Sequence, residues 1–167
     1  ADWFRLWKVA LDEAKKLDMN VWIYDENSYP SGFAGGLVPE AMPESRGRGL
    51  ILKETKVPPP WTENLVAIYR IEGDELEIVT TKVKAGAALP EARYLVASEA
   101  RAANSPWHGN RSYVNLLSPG VTEKFLDITM EAYRREIGGQ FGRRVPGVFT
   151  DEPNIRPAGG LPWSEIL

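Results

Sequence analysis

Val21-Trp22-Ile23-Tyr24-Asp25-Glu26 and Val145-Pro146-Gly147-Val148-Phe149-Thr150-Asp151-Glu152-Pro153 are two short apolar runs, each stopping in an acidic pair followed by loop residues. Apolarity at consecutive rather than alternate positions is the pattern of a strand covered on both faces, as in parallel sheets. Carboxylates at the end of such a strand are costly unless a partner, a metal or a substrate compensates them. Both pairs are therefore candidates for chemistry as well as for packing.

The flanking sequence supports βα-type chaining. Trp3, Trp7, Ala10, Ala14 and Leu17 recur at steps of four and three, which predicts a helix with those residues on its apolar face. Asp12, Glu13, Lys15 and Lys16 fall on the opposite side, and the pattern ends near Asp18-Met19-Asn20. The stretch 27–44 holds Gly32, Gly35, Gly36 and prolines 30, 39 and 43, and reads as a long loop. Long ordered loops in compact domains often carry function. Later in the chain, Ser118-Pro119 predicts a helix start, with Ser as N-cap and Pro at the first position. Phe125, Leu126, Ile128, Met130, Ala132, Tyr133 and Ile137 give that helix a broad apolar face, and Gly138-Gly139 ends it.

Between these parts the texture changes. Residues 50–57, 65–72, 75–83 and 93–98 read as strands, and Gly73-Asp74 is a two-residue hairpin signal. The expected fold is therefore α/β: a partial (β/α)8 TIM barrel with an inserted antiparallel β subdomain. Its segments would be 1–49 (barrel unit and loop), 50–112 (insertion) and 113–167 (helix and second strand). In a barrel the active site lies at the C-terminal ends of the strands, where both acidic pairs would sit.

Composition narrows the partners. A net charge of −3 supplies no basic excess for nucleic acid or an anionic membrane, so neither is expected as a partner. No apolar run approaches the roughly 20 residues of a membrane-spanning helix. The absence of cysteine excludes disulfides, thiolate nucleophiles and cysteine metal sites, and a single histidine, His108, argues against a histidine-based zinc centre. The chain opens at Ala1 inside a helical pattern and closes in Leu161-Pro162-Trp163-Ser164-Glu165-Ile166-Leu167, which reads as the start of a new element. The expectation is a piece of a longer protein whose partner is the remainder of its own catalytic domain. Its compartment is open, a periplasmic or secreted parent included.

Alternate residues of a strand share a face. Val148, Thr150 and Glu152 therefore point one way and Phe149 and Asp151 the other; Trp22, Tyr24 and Glu26 oppose Val21, Ile23 and Asp25. Glycoside hydrolysis needs one carboxylic acid to protonate the leaving oxygen and a second carboxylate as base or nucleophile. Glu152, sharing its face with polar Thr150, is the better candidate to face the barrel axis. The competing reading stands beside it: Asp25 or Asp151 caps a loop and Glu152 makes an ordinary ion pair. In Tyr29-Pro30-Ser31-Gly32-Phe33-Ala34-Gly35-Gly36, aromatic rings accompany backbone that a ligand can approach closely, as sugar stacking requires, or the segment is a plain Pro-Gly turn. Trp107 and His108 lie in the loop 103–109, where His108 could bond a sugar hydroxyl or carry a proton, or be structural.

Four segments together resemble one family. Tyr24-Asp25-Glu26 followed by Pro30-Ser31-Gly32-Phe33-Ala34-Gly35-Gly36 resembles the YDE-x-x-x-PSG-x-AGG signature of glycoside hydrolase family 106, the α-L-rhamnosidases. Tyr113-Val114-Asn115-Leu116-Leu117-Ser118-Pro119 is similar to its YVDLLNP helix entry, with Asn115 in place of the usual Asp. Gly147-Val148-Phe149-Thr150-Asp151-Glu152-Pro153 is similar to GIFTDEP, and Pro162-Trp163-Ser164 to PWT. The resemblance implies cleavage of terminal α-L-rhamnosides in polysaccharides, with inversion and with help from calcium, whose ligands it does not assign here. It implies Glu152 as general acid, with Asp25, Glu26 and the Ser31-Gly32 loop lining the sugar subsite; the residues themselves add Tyr29, Phe33, Trp107, His108 and Asp151 as expected substrate contacts. The water-activating base is expected beyond Leu167. A non-catalytic carbohydrate-binding protein on a degenerate barrel is the alternative, and a β module serving as an interaction surface is a third.

Overall fold

A computed structural model describes residues 2–167. Its elements, in chain order, are α1 (Asp2–Lys16), β1 (Ile23–Tyr24), α2 (Leu37–Ala41), β2 (Arg48–Thr55), β3 (Leu65–Glu72), β4 (Glu75–Ile78), α3 (Thr80–Lys84), β5 (Tyr94–Arg101), α4 (Val121–Ile137), β6 (Val148–Phe149) and β7 (Leu161–Pro162). Most of the extended backbone joins one curled antiparallel sheet of order β4-β3-β5-β2-β7. β1 and β6 form a separate parallel pair, with Ile23 opposite Val148 and Tyr24 opposite Phe149.

This architecture corrects the expected barrel. Among the described residues there is no (β/α)8 pattern: the two runs read as barrel strands contribute two paired residues each, and the dominant sheet is antiparallel. Cover on both faces is also corrected. Ile23 is buried, but Trp22 is 57% exposed and Tyr24 50%, so the pair is packed on one side only. Consecutive apolar residues marked a strand here without marking a second layer over it.

Local chemistry explains the other departures. The 75–83 run is a strand only to Ile78, because Thr80 turns the chain: its hydroxyl accepts from Ile68 N–H at 2.9 Å and begins α3. Val79 and Val83 then pack with Leu65, Ile68, Tyr94 and Val96 as the core of the antiparallel module. α4 starts at Val121 rather than at Pro119, after Gly120 at φ 82°, a left-handed conformation that glycine adopts without penalty. The buried face of α1 is Leu11 and Ala14 with half-buried Phe4 and Trp7, rotated from the expected one; Trp3, Ala10 and Leu17 are exposed. The apolar stripe of α1 is wide, and only one flank of it meets α4. There Phe4 and Trp7 pack edge-on against Tyr133 at 5.2 and 5.3 Å, contacts worth roughly 0.5–1.5 kcal/mol each.

A third cluster positions the acidic strand ends. Phe33, Ala34 and Val38 from the long loop and α2 are buried against Tyr113, Val114, Val121 and Phe125. The glycine-rich loop is thus anchored by its own aromatic and aliphatic residues. The last segment is tied to the antiparallel sheet through β7, which pairs with Gly49 and Leu50 of β2, and through Arg48, which reaches Glu165 at 2.5 Å and Glu99 at 3.2 Å.

Candidate functional site

The parallel register of β1 and β6 brings the two acidic pairs side by side, and a set of hydroxyls links them. Tyr24 donates toward Glu26 Oε2 at 2.5 Å and Asp151 Oδ2 at 2.6 Å. One phenolic proton therefore stands between two carboxylates, drawn from different strands. The hydrogen bond to Asp151, then that to Glu26, raises the Tyr24 ionisation well above its ordinary value. Tyr24 also meets Phe149 edge-on at 5.2 Å, as their shared face requires. Trp22 on the same face lies over Gly147, where an added Cβ would come within 2.6 Å of the indole.

Asp25 faces the other way. It is 6% exposed and turns toward the helix side, where Ser31 donates to Oδ1 at 2.5 Å and Thr150 to Oδ2 at 2.6 Å. Ser31 joins the two sides: its Oγ also accepts from Asp151 N–H at 3.0 Å, and its own N–H donates to the Asp151 carbonyl at 2.9 Å. The Tyr113 hydroxyl donates to the Ser31 carbonyl and accepts from Asn154 N–H at 3.1 Å. Burial pushes the Tyr113 phenol up to about 12. Gly32 at φ 123° packs directly over that phenol, where a Cβ would lie 2.8 Å from its oxygen.

Glu152 breaks strand alternation. Its φ of 40° is left-handed, and it precedes Pro153, a position that favours extended backbone. Such a conformation in a non-glycine residue costs about 1–3 kcal/mol and is found preferentially at functional sites. The turn delivers its carboxylate to the Tyr29 phenol, which donates to Glu152 Oε2. That bond first, and the charges of Asp151 and Glu26 in addition, raise the Tyr29 ionisation. Glu26, Asp151 and Glu152 therefore act on one phenol.

An open cleft of about 480 Å³ lies beside Glu152, walled by Tyr29, Trp107, His108, Asn154 and Arg156. The Trp107 indole donates to the Tyr29 carbonyl at 2.7 Å, which fixes one wall against another. His108 rests edge-on against Phe33 at 5.1 Å, its buried Nδ1 has no partner, and burial holds its imidazole below the ordinary value. Of the residues expected from sequence, the structure gathers Glu26, Tyr29, Trp107, His108, Asp151 and Glu152 around this region. Phe33 is fully buried beneath it, Ser31 and Gly32 form its internal support, and Asp25 is turned away.

Tyr24, Thr150 and Arg156 belong to the site without having been singled out as ligands. Tyr24 was legible in principle, since it shares a strand face with Glu26. Arg156 was not, because its place depends on the fold of the 153–160 loop. Calcium needs about six to eight oxygen ligands, and no three acidic or histidine side chains among the described residues converge to hold an ion. A larger hollow of about 550 Å³ between α1 and the end of α4 lies away from the acidic pairs; in its lining Lys8 pairs with Glu136, and Arg144 reaches Asp18 outside it. Comparison with protein-family models, curated proteins and solved structures finds no match.

Proposed function

We propose that this chain carries part of the active site of a glycoside hydrolase acting on terminal α-L-rhamnosides or a related sugar, as its similarity to family 106 implies. One observation carries the reading: Glu26 and Asp151 share the Tyr24 phenol and Glu152 takes that of Tyr29, beside a cleft walled by Trp107 and His108. Aromatic rings beside polar groups such as Asn154 and Arg156 suit a sugar, whose C–H faces stack while its hydroxyls bond. In this reading Glu152 delivers a proton to the departing glycosidic oxygen and a second carboxylate activates water. Trp107 and Tyr29 hold the ring, and the left-handed turn at Glu152 aims the acid into the cleft.

Glu152 is exposed here. The desolvated setting that suits a general acid is therefore not supplied by the described residues. The chain alone is expected to be inactive toward an aryl α-L-rhamnoside, while the full-length protein hydrolyses it. Glu152→Gln in the full-length protein should lower kcat by about 10²–10⁴-fold. Turnover unchanged by that substitution would remove Glu152 from the chemistry. The same exposure favours the second reading, a carbohydrate-binding protein without catalysis. Rhamnose binding that survives Glu152→Gln, with no hydrolysis by the unmutated full-length protein, would select it.

A further inference from the structure

A second hollow, of about 340 Å³, opens between α4 and β6 on the side of the parallel pair facing away from Tyr24 and Glu26. Phe125, Leu126, Met130, Val148 and Leu116 supply apolar walls, and the one charge in them is the Asp25 carboxylate. Asp25 is buried, and both donors it receives are neutral hydroxyls. No lysine or arginine lines the hollow, and among the described residues Asp25 joins no ion pair. A carboxylate buried without a cation is strongly penalised, and each of its oxygens retains a lone pair beyond the hydroxyl it accepts.

We propose that this hollow is a binding site for a small primary ammonium compound with an apolar body, its ammonium on Asp25 and its hydrocarbon part against Phe125, Leu126 and Met130. The hollow falls within the size range of small-molecule sites, roughly 300–1,000 Å³. Ser31 and Thr150 hold the carboxylate oriented before any ligand arrives, which reduces the ordering cost of binding. A neutral sugar supplies no compensating charge, so this site is separate from the Glu152 cleft and does not rest on the glycosidase reading. Leu126 and Val148, both exposed, frame its mouth.

The test is titration of the protein with cyclohexylmethylammonium, cyclohexylmethanol and lysinamide at neutral pH, followed by calorimetry and by the methyl signals of Leu126, Met130 and Val148. The cyclic ammonium should bind at least about tenfold more tightly than the alcohol of the same shape and shift those three residues. Leu126→Trp, a change at the mouth that leaves the Ser31–Asp25–Thr150 bonds intact, should abolish binding, and Asp25→Asn should reduce it to the level of the alcohol. Equal binding of amine and alcohol, or amine binding that survives Leu126→Trp, would overturn the proposal. Tighter binding of lysinamide would transfer the site to a lysine side chain of a partner. No binding by any probe would leave Asp25 a structural clasp only.

Discussion

Ser31 does more than any other residue to connect the site, because one hydroxyl serves two strands. Its Oγ donates to buried Asp25 and accepts from Asp151 N–H. Ser31→Ala leaves a buried carboxylate oxygen and a backbone N–H unpaired, so a loss of about 1–3 kcal/mol is expected in urea unfolding. Ser31→Thr, which keeps the hydroxyl, should recover part of it. His108 has a pH signature. Burial keeps its imidazole below the ordinary 6.5, so the unfolded chain takes up that proton more readily. Its contribution is fully present above pH 6.5 and lost as pH falls below that value. Unfolding midpoints measured across the acid side should show a weaker pH dependence in His108→Phe than in the unmutated protein. The sign reverses for Tyr113, whose phenol is raised to about 12. There the folded state holds the proton longer, so stability declines as pH rises from the ordinary 10.0 toward 12.

Among the elements, β7 is the most sensitive to a single atom. A Cβ at Gly49 would lie 2.0 Å from the Gly159 carbonyl oxygen, which belongs to backbone and cannot rotate aside. Gly49→Ala should therefore detach the 157–165 segment from β2. The expected readouts are faster amide exchange at Leu161 and loss of the Arg48–Glu165 pair at the sheet edge. The antiparallel strands were the most legible elements, because alternation and the Gly73-Asp74 turn are local signals, and the hairpin pairs Glu72 with Glu75. The short helix α3 was hidden, because Val79 and Val83 suit a strand by composition. The Thr80 hydroxyl bond that ends the strand depends on Ile68, twelve residues away.

For the whole molecule, the unmatched flank of α1 stands out. Leu6 and Val9 of α1 are exposed, as is Leu17 just beyond it. Exposed apolar surface of this kind favours association. Leu6→Lys combined with Leu17→Lys should change stability by less than about 0.5 kcal/mol per site, since neither side chain is buried. The same pair should lower self-association in light scattering at high concentration. A large loss of stability instead would mean that this flank packs against something in the folded protein.

The linear order of residues was enough to mark two acidic strand ends, an aromatic glycine-rich loop and an antiparallel middle, because each is written in neighbouring positions. It also placed Tyr24 and Glu26 on one face and Asp25 on the other, since strand alternation is a property of the backbone itself. Only the folded chain decided that the long strands form an antiparallel sheet with β7, that α1 meets α4 along one flank of its stripe, and that Asp25 faces a hollow of its own. Those outcomes depend on which surfaces meet across more than a hundred residues, as Tyr24 and Asp151 do at |i−j| = 127. Local patterning states what a surface can bury, and the long-range pairing states what it does bury.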